Sequence, residues 1–169
     1  QVHACEAEHS VPTFSFLFEE KEKPGTFYPE KANSLGIPKG ELWHKLQQGD
    51  EVVIENKSIK PSEVMGPNVP GKKIGISGDT RPTKKLEAFF KNSDYLVFDS
   101  TFSDELKEKA VESCHSTAKE AATFAKNASV SNLILTHFSA RYKDENVLLD
   151  EAKTIHNSVI AAKDQLKIN

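Results

Sequence analysis

Residues 72–100 read KKIGISGDTRPTKKLEAFFKNSDYLVFDS. The apolar run Ile74-Gly75-Ile76 is short and stops at Ser77-Gly78, so it reads as a strand. Pro82 then stands near the first turn of a helix, and Leu86, Phe89 and Phe90 share one helical face. DYLVFD, residues 94–99, is the next strand. Strand, helix and strand in so short a span predict a layered α/β domain. Asp79 stands after the first strand. A carboxylate there must be hydrogen-bonded, paired or bound to metal, because burying it alone costs several kcal/mol.

The pattern continues on both sides. One helical turn is expected within residues 103–112, and a helix from residue 115 with Thr117 and Glu120 as a capping box. NLILTHFS, residues 132–139, is a third strand. Residues 145–166 read as one long helix with Leu148, Ala152, Ile155 and Val159 on a face. Towards the amino terminus, Phe14, Phe16 and Phe18 alternate at the period of a half-buried strand. Residues 21–66 are dense in Pro, Gly and charge, with a short helix at PEKANSLG and a hairpin at DEVVIENKSIK. They carry too few apolar residues for a core of their own and are expected to project as an arm. The body is then residues 1–20 and 67–169.

The 169 residues are 37% hydrophobic and 28% charged, which excludes a disordered chain. A formal charge of −3 gives no global basic field, so any nucleic-acid contact must be local. The two cysteines, Cys5 and Cys114, form neither a disulfide framework nor a metal pair, which favours a reducing, cytoplasmic setting. No apolar run approaches a membrane span and no signal peptide is visible. The chain opens QVHACEAEHS, without Met, and is expected to be the later half of a longer protein.

Three strands run into polar groups: Asp79, Asp99 and His137. In layered α/β folds chemistry collects at the carboxyl ends of strands. Neutral imidazole and ionised carboxylate suit a divalent ion, and a carboxylate can bridge two. His9 could join them. His115 precedes a capped helix, where it could protonate a leaving group on a phosphate.

In order along the chain, AEHSVPTFSFLFEE, SLGIPKGELWHKLQQGDEV, GKKIGISGDTRP and CHSTAKEAATFAKNASVSNLILTHFSARY resemble segments of the ribonuclease Z (tRNase Z) family of the metallo-β-lactamase superfamily. The resemblance implies part of an αββα four-layer sandwich, its carboxy-terminal portion, with residues 21–66 as a projecting tRNA-binding arm. It implies that His9 and Asp79 bind one Zn2+, with Asp79 bridging to a second held by His137, and with Mn2+ as an alternative ion. His115 would be the acid, oriented by Asp99. Ser116, Thr117, Arg141, Lys39 and Lys45 would contact substrate. The implied reaction is hydrolysis of the phosphodiester after the discriminator nucleotide of precursor tRNA, leaving a 3′-hydroxyl, by a homodimer. Where the family usually reads His-Glu-Ala-Thr, this chain has Phe98-Asp99-Ser100-Thr101, and its Pro-Pro-Gly-Pro is here Pro38-Lys39-Gly40-Glu41. The family's His-x-His-x-Asp-His motif is absent from these residues, so three ligands cannot complete a two-zinc site. A hydrolase of small phosphodiesters and a non-catalytic tRNA-binding half-domain are the alternative readings.

Overall fold

The computed structural model describes residues 1–168. Along the chain the elements are β1 (Val2–Glu6), β2 (Phe14–Glu19), α1 (Pro29–Ser34), α2 (Glu41–Gln48), β3 (Val52–Ile54), β4 (Lys57–Ile59), α3 (Pro61–Val64), β5 (Lys73–Ile76), α4 (Lys84–Phe89), β6 (Tyr95–Asp99), α5 (Lys107–Glu112), α6 (Ala118–Asn127), β7 (Asn132–Thr136), α7 (Asn146–Lys153) and β8 (Val159–Ala161). A 3₁₀ turn, Asp104–Leu106, leads into α5. By contact the chain divides into two compact units, residues 1–20 with 72–169, and residues 21–71.

The first unit is a sheet in the order β1-β2-β5-β6-β7-β8. β1, β2 and β5 are antiparallel neighbours, whereas β5 to β8 run parallel. Pleating sends alternate residues to opposite faces. One face carries Leu17, Leu96, Phe98, Leu133, Leu135 and Val159, all buried with Leu86, Phe90, Ala121, Phe124 and Leu148 of the helical layer. Gly75 belongs to this face, and a Cβ there would lie 2.5 Å from the Phe90 ring and 2.8 Å from Leu96. The missing side chain is what makes room for the Phe90 ring, at the end of α4, against the sheet.

The opposite face is apolar and exposed: Phe14, Phe16 and Phe18 of β2 stand beside Ile74 and Ile76 of β5. The period-two phenylalanines therefore mark a strand, but Ser15 and Leu17 are its inward residues. One expected element is corrected. The helix expected over residues 145–166 stops at Lys153, and Val159–Ala161 is a strand parallel to β7. β-branched Val159 and Ile160 fit a pleated edge better than a helix. His156 pins the change of direction, with its Nε2 2.9 Å from the Val130 carbonyl and its Nδ1 facing the Ser158 N–H. Spacing alone had aligned Val159 with the helical face.

The second unit has the expected short helix and hairpin, the latter turning through Glu55 and Asn56 at φ of 48° and 67°. It also has a core, contrary to the sequence expectation: Ala32, Ile37, Leu46, Val52, Ile59 and Val64 are buried, with Phe27 and Trp43 packed against them. Trp43 Nε1 donates to the Ile37 carbonyl at 2.9 Å. Few apolar residues suffice because they come from five short elements and the loop that carries Ile37. No helix among the described residues is long and apolar enough to cross a membrane.

Two outcomes are expected. Gly75→Ala overpacks the α4–sheet contact and destabilises the protein by about 1–3 kcal/mol, read by denaturant titration. Asp94, at the turn into β6, accepts the Lys73 N–H at 2.8 Å and pairs with Lys72. The Lys73 backbone hydrogen bond, then Lys72, hold its carboxyl below the usual value. Its folded pKa is depressed, so this stabilisation is present above the unfolded carboxylate range and is lost as pH falls through the folded value. Asp94→Asn is expected to flatten the stability–pH curve on the acid side, read by thermal melts across that range.

Candidate active site

The carboxyl ends of β5, β6 and β7, together with the β1–β2 turn, meet at one edge of the sheet, because β2 begins where β5 ends. Asp79, Asp99, His115 and His137 each bring one ligand-type atom to this edge, all within 4.8 Å of one another.

Local chemistry delivers each group. After β5, Gly78 turns the chain at φ +64°, where a side chain is costly. That turn presents Asp79 half-exposed, with Oδ2 3.6 Å from His137 Nε2. β6 ends in Asp99, which is fully buried. Its Oδ2 accepts from the Thr80 N–H at 3.0 Å and from His115 Nδ1 at 2.7 Å. Its Oδ1 accepts from the Thr101 N–H at 3.0 Å and the Thr101 hydroxyl at 2.7 Å. Both oxygens are thus saturated, which suits an anchor better than a metal ligand. His137 follows β7 with φ +62°, and Thr101 Oγ1 lies 2.8 Å from its Nδ1. His115 and His137 stack, with centroids 4.9 Å apart at 22°.

His9, on the β1–β2 turn, sits edge-on to His115 with centroids 4.9 Å apart. Its Nδ1 is 2.9 Å from the Cys114 carbonyl, an acceptor only, so Nδ1 carries the proton. His9 and His115 both direct an Nδ1–H to an oxygen, which leaves Nε2 with its lone pair. Outer hydrogen bonds of this kind are what orient histidines that hold metals. The donor chemistry of the cluster, with His137 Nε2 3.6 Å from the Asp79 carboxylate, fits a divalent ion, and His9 lies outside that cluster, against the His115 ring.

The residues named for substrate contact are placed differently. Ser116 and Thr117 are buried, and their hydroxyls have internal partners. Ser116 Oγ donates to the Thr80 carbonyl at 2.6 Å, and Thr117 Oγ1 caps α6 by accepting the Glu120 N–H. Arg141 is exposed, stacked 5.0 Å over Phe102 with Nε donating to Ser139 Oγ. Lys39 and Lys45 lie in the unit of residues 21–71. Lys39 is exposed, and Lys45 pairs with Glu41 at 2.9 Å.

A brace that the sequence did not disclose is Arg81 with Glu120. The guanidinium meets both carboxylate oxygens and also donates to the His115 carbonyl. Both side chains are only 13% exposed. The same carboxylate accepts the Thr117 N–H at 3.0 Å, completing the cap of α6. The capping box was legible in the sequence, but its link to a residue 39 positions earlier was not. The Arg81 N–H donates to the Glu8 carbonyl and the Glu8 N–H to Thr80 Oγ1, which fixes the turn bearing His9.

The fold corresponds to solved structures. The chain superposes on the short form of human tRNase Z with a TM-score of 0.56 at 24% identity, covering 99% of this chain and 42% of that one. A metallo-β-lactamase fold protein of Bacillus subtilis matches with a TM-score of 0.60 at 16% identity, over 96% of this chain and 46% of its own. The fold is therefore that of the metallo-β-lactamase proteins. No family model matches the chain. In sequence it is homologous, along nearly its whole length, to ribonuclease Z. The ribonuclease Z of Nitrosopumilus maritimus is 64% identical over 167 residues, 99% of this chain and 56% of the relative. That of Methanosarcina acetivorans is 44% identical over 168 residues, 99% and 55% respectively. The chain spans about half the length of the curated relatives it matches.

Removing the guanidinium leaves the largely buried Glu120 with only the Thr117 N–H and Lys107, 4.0 Å away, as partners. Arg81→Met is expected to lower stability by about 3–5 kcal/mol. Arg81→Met combined with Glu120→Leu should recover a good part of that loss, which a double-mutant cycle by chemical denaturation measures.

Proposed function

We propose that the protein carrying this sequence is a metal-dependent endoribonuclease that removes the 3′ trailer of precursor tRNA, leaving a 3′-hydroxyl. The 64% identity to a ribonuclease Z supports this reading. The observation that carries it is the convergence of Asp79, His115 and His137 at one sheet edge, with Asp99 fully hydrogen-bonded beneath them.

The proposed metal donors are His9, Asp79 and His137, and Asp79 would be the carboxylate shared between two ions. Bound zinc, with manganese as the alternative, would polarise the phosphate and lower the pKa of an attacking water. The chain's own residues supply the proton transfer. Asp99 holds His115 by its Nδ1–H, which leaves Nε2 as the nitrogen to carry the transferred proton. Protonated at Nε2, His115 gives that proton to the departing 3′ oxygen, and Asp99 stabilises the imidazolium until then. Arg141, Lys39 and Lys45 are the proposed phosphate contacts. The buried Ser116 and Thr117 would reach substrate only through their backbone. Both cysteines are free thiols, which suits the cytoplasm, and the proposed assembly is a homodimer, to be read by analytical ultracentrifugation.

The test uses full-length protein and a precursor tRNA with a 3′ trailer. His115→Ala is expected to slow cleavage by about 10²- to 10⁴-fold with zinc content unchanged. Asp79→Ala is expected to lose both zinc and cleavage while its melting curve is retained. Chelation should abolish activity, with zinc or manganese add-back naming the ion. Full activity in Asp79→Ala, or a product ending in a 3′-phosphate, overturns the reading.

A further inference from the structure

Thr101 is buried between two groups that do different work. Its Oγ1 lies 2.7 Å from Asp99 Oδ1 and 2.8 Å from His137 Nδ1. A hydroxyl has one proton to give. Asp99 Oδ1 also receives the Thr101 N–H and acts as an acceptor, so an oxygen–oxygen contact this short needs a proton between the pair. The Thr101 proton therefore goes to Asp99. Thr101 Oγ1 is then the acceptor towards His137, and Nδ1 of His137 carries the hydrogen. A neutral imidazole has only one N–H, so Nε2 keeps its lone pair. Nε2 is the atom that lies 3.6 Å from Asp79 Oδ2.

We propose that Thr101 is a positioning residue that sets the tautomer of His137, so that Nε2 faces a cation beside Asp79. A histidine side chain free in water prefers its proton on Nε2, so the opposite tautomer needs a partner at Nδ1. The backbone of His137, in the left-handed region, fixes where the ring stands, and one hydroxyl fixes which nitrogen is bare. Thr101 is 6% exposed, so its hydroxyl is screened from bulk water. The arrangement divides Asp99 between two histidines. Oδ2 holds His115, and Oδ1, through Thr101, holds His137.

This inference deepens the metal-site reading, and its readout does not depend on tRNA cleavage. Full-length protein labelled with 15N-histidine and stripped of metal is compared by long-range 1H–15N correlation at a pH where imidazoles are neutral. Wild type and Thr101→Ser are expected to show His137 protonated at Nδ1. Thr101→Val and Thr101→Ala are expected to move the His137 proton to Nε2, with the His115 signal unchanged as the report of an intact site. Titration with zinc alone should show both variants weakened by about 10- to 100-fold and Thr101→Ser close to wild type. The inference is overturned if His137 keeps its Nδ1–H in both variants, if zinc affinity does not change, or if His115 shifts along with His137. A protein that binds zinc in this way but does not cut precursor tRNA would overturn the proposed function and leave the role of Thr101 standing.

Discussion

Asp99 sits at the end of β6 with no solvent exposure, and four donors close on its two oxygens: the Thr80 and Thr101 N–H groups, the Thr101 hydroxyl and His115 Nδ1. A buried charge is tolerable only when so fully satisfied. Each donor belongs to a segment that also carries chemistry. Thr80 follows Asp79, His115 precedes α6, and Thr101 reaches His137. Loops after β5, β6 and β7 must therefore take their observed courses together.

A second polar tie reinforces the first. Arg81 and Glu120 join the loop after β5 to the first turn of α6, and Arg81 also holds the His115 carbonyl. Ser116 Oγ on the Thr80 carbonyl runs parallel to it. The result is a site whose histidines are held by second partners at Nδ1 while their Nε2 atoms stay available. Such placement fits the proton transfer proposed for His115.

Much of this was legible in the primary structure. The strands at β5, β6 and β7 followed from short apolar runs with abrupt polar ends, and α6 from its capping box. The candidate residues at the strand ends were legible for the same reason, since a charged group closing an apolar run is costly without a function or a partner. Three features were not legible. Val159 keeps helical spacing with Ile155, yet pairing with β7 makes it a strand. Phe14, Phe16 and Phe18 mark a strand without saying which face is inward. The core of residues 21–71 is built from single apolar residues scattered over five short elements, below the reach of any local window.

By itself the sequence determined the α/β class, the strands β2, β5, β6 and β7 in their order along the chain, and the polar residues at or just after the ends of the last three. These depend on local periodicity and on neighbours within a few positions. Only the tertiary structure decided that the Phe90 ring fills the space beside Gly75, that Glu120 pairs with Arg81, and that Thr101 stands between Asp99 and His137. Those contacts join residues 15 to 39 positions apart or depend on the direction of one hydroxyl. Distance along the chain carries no information about them until the parallel strands bring their carboxyl ends to one edge.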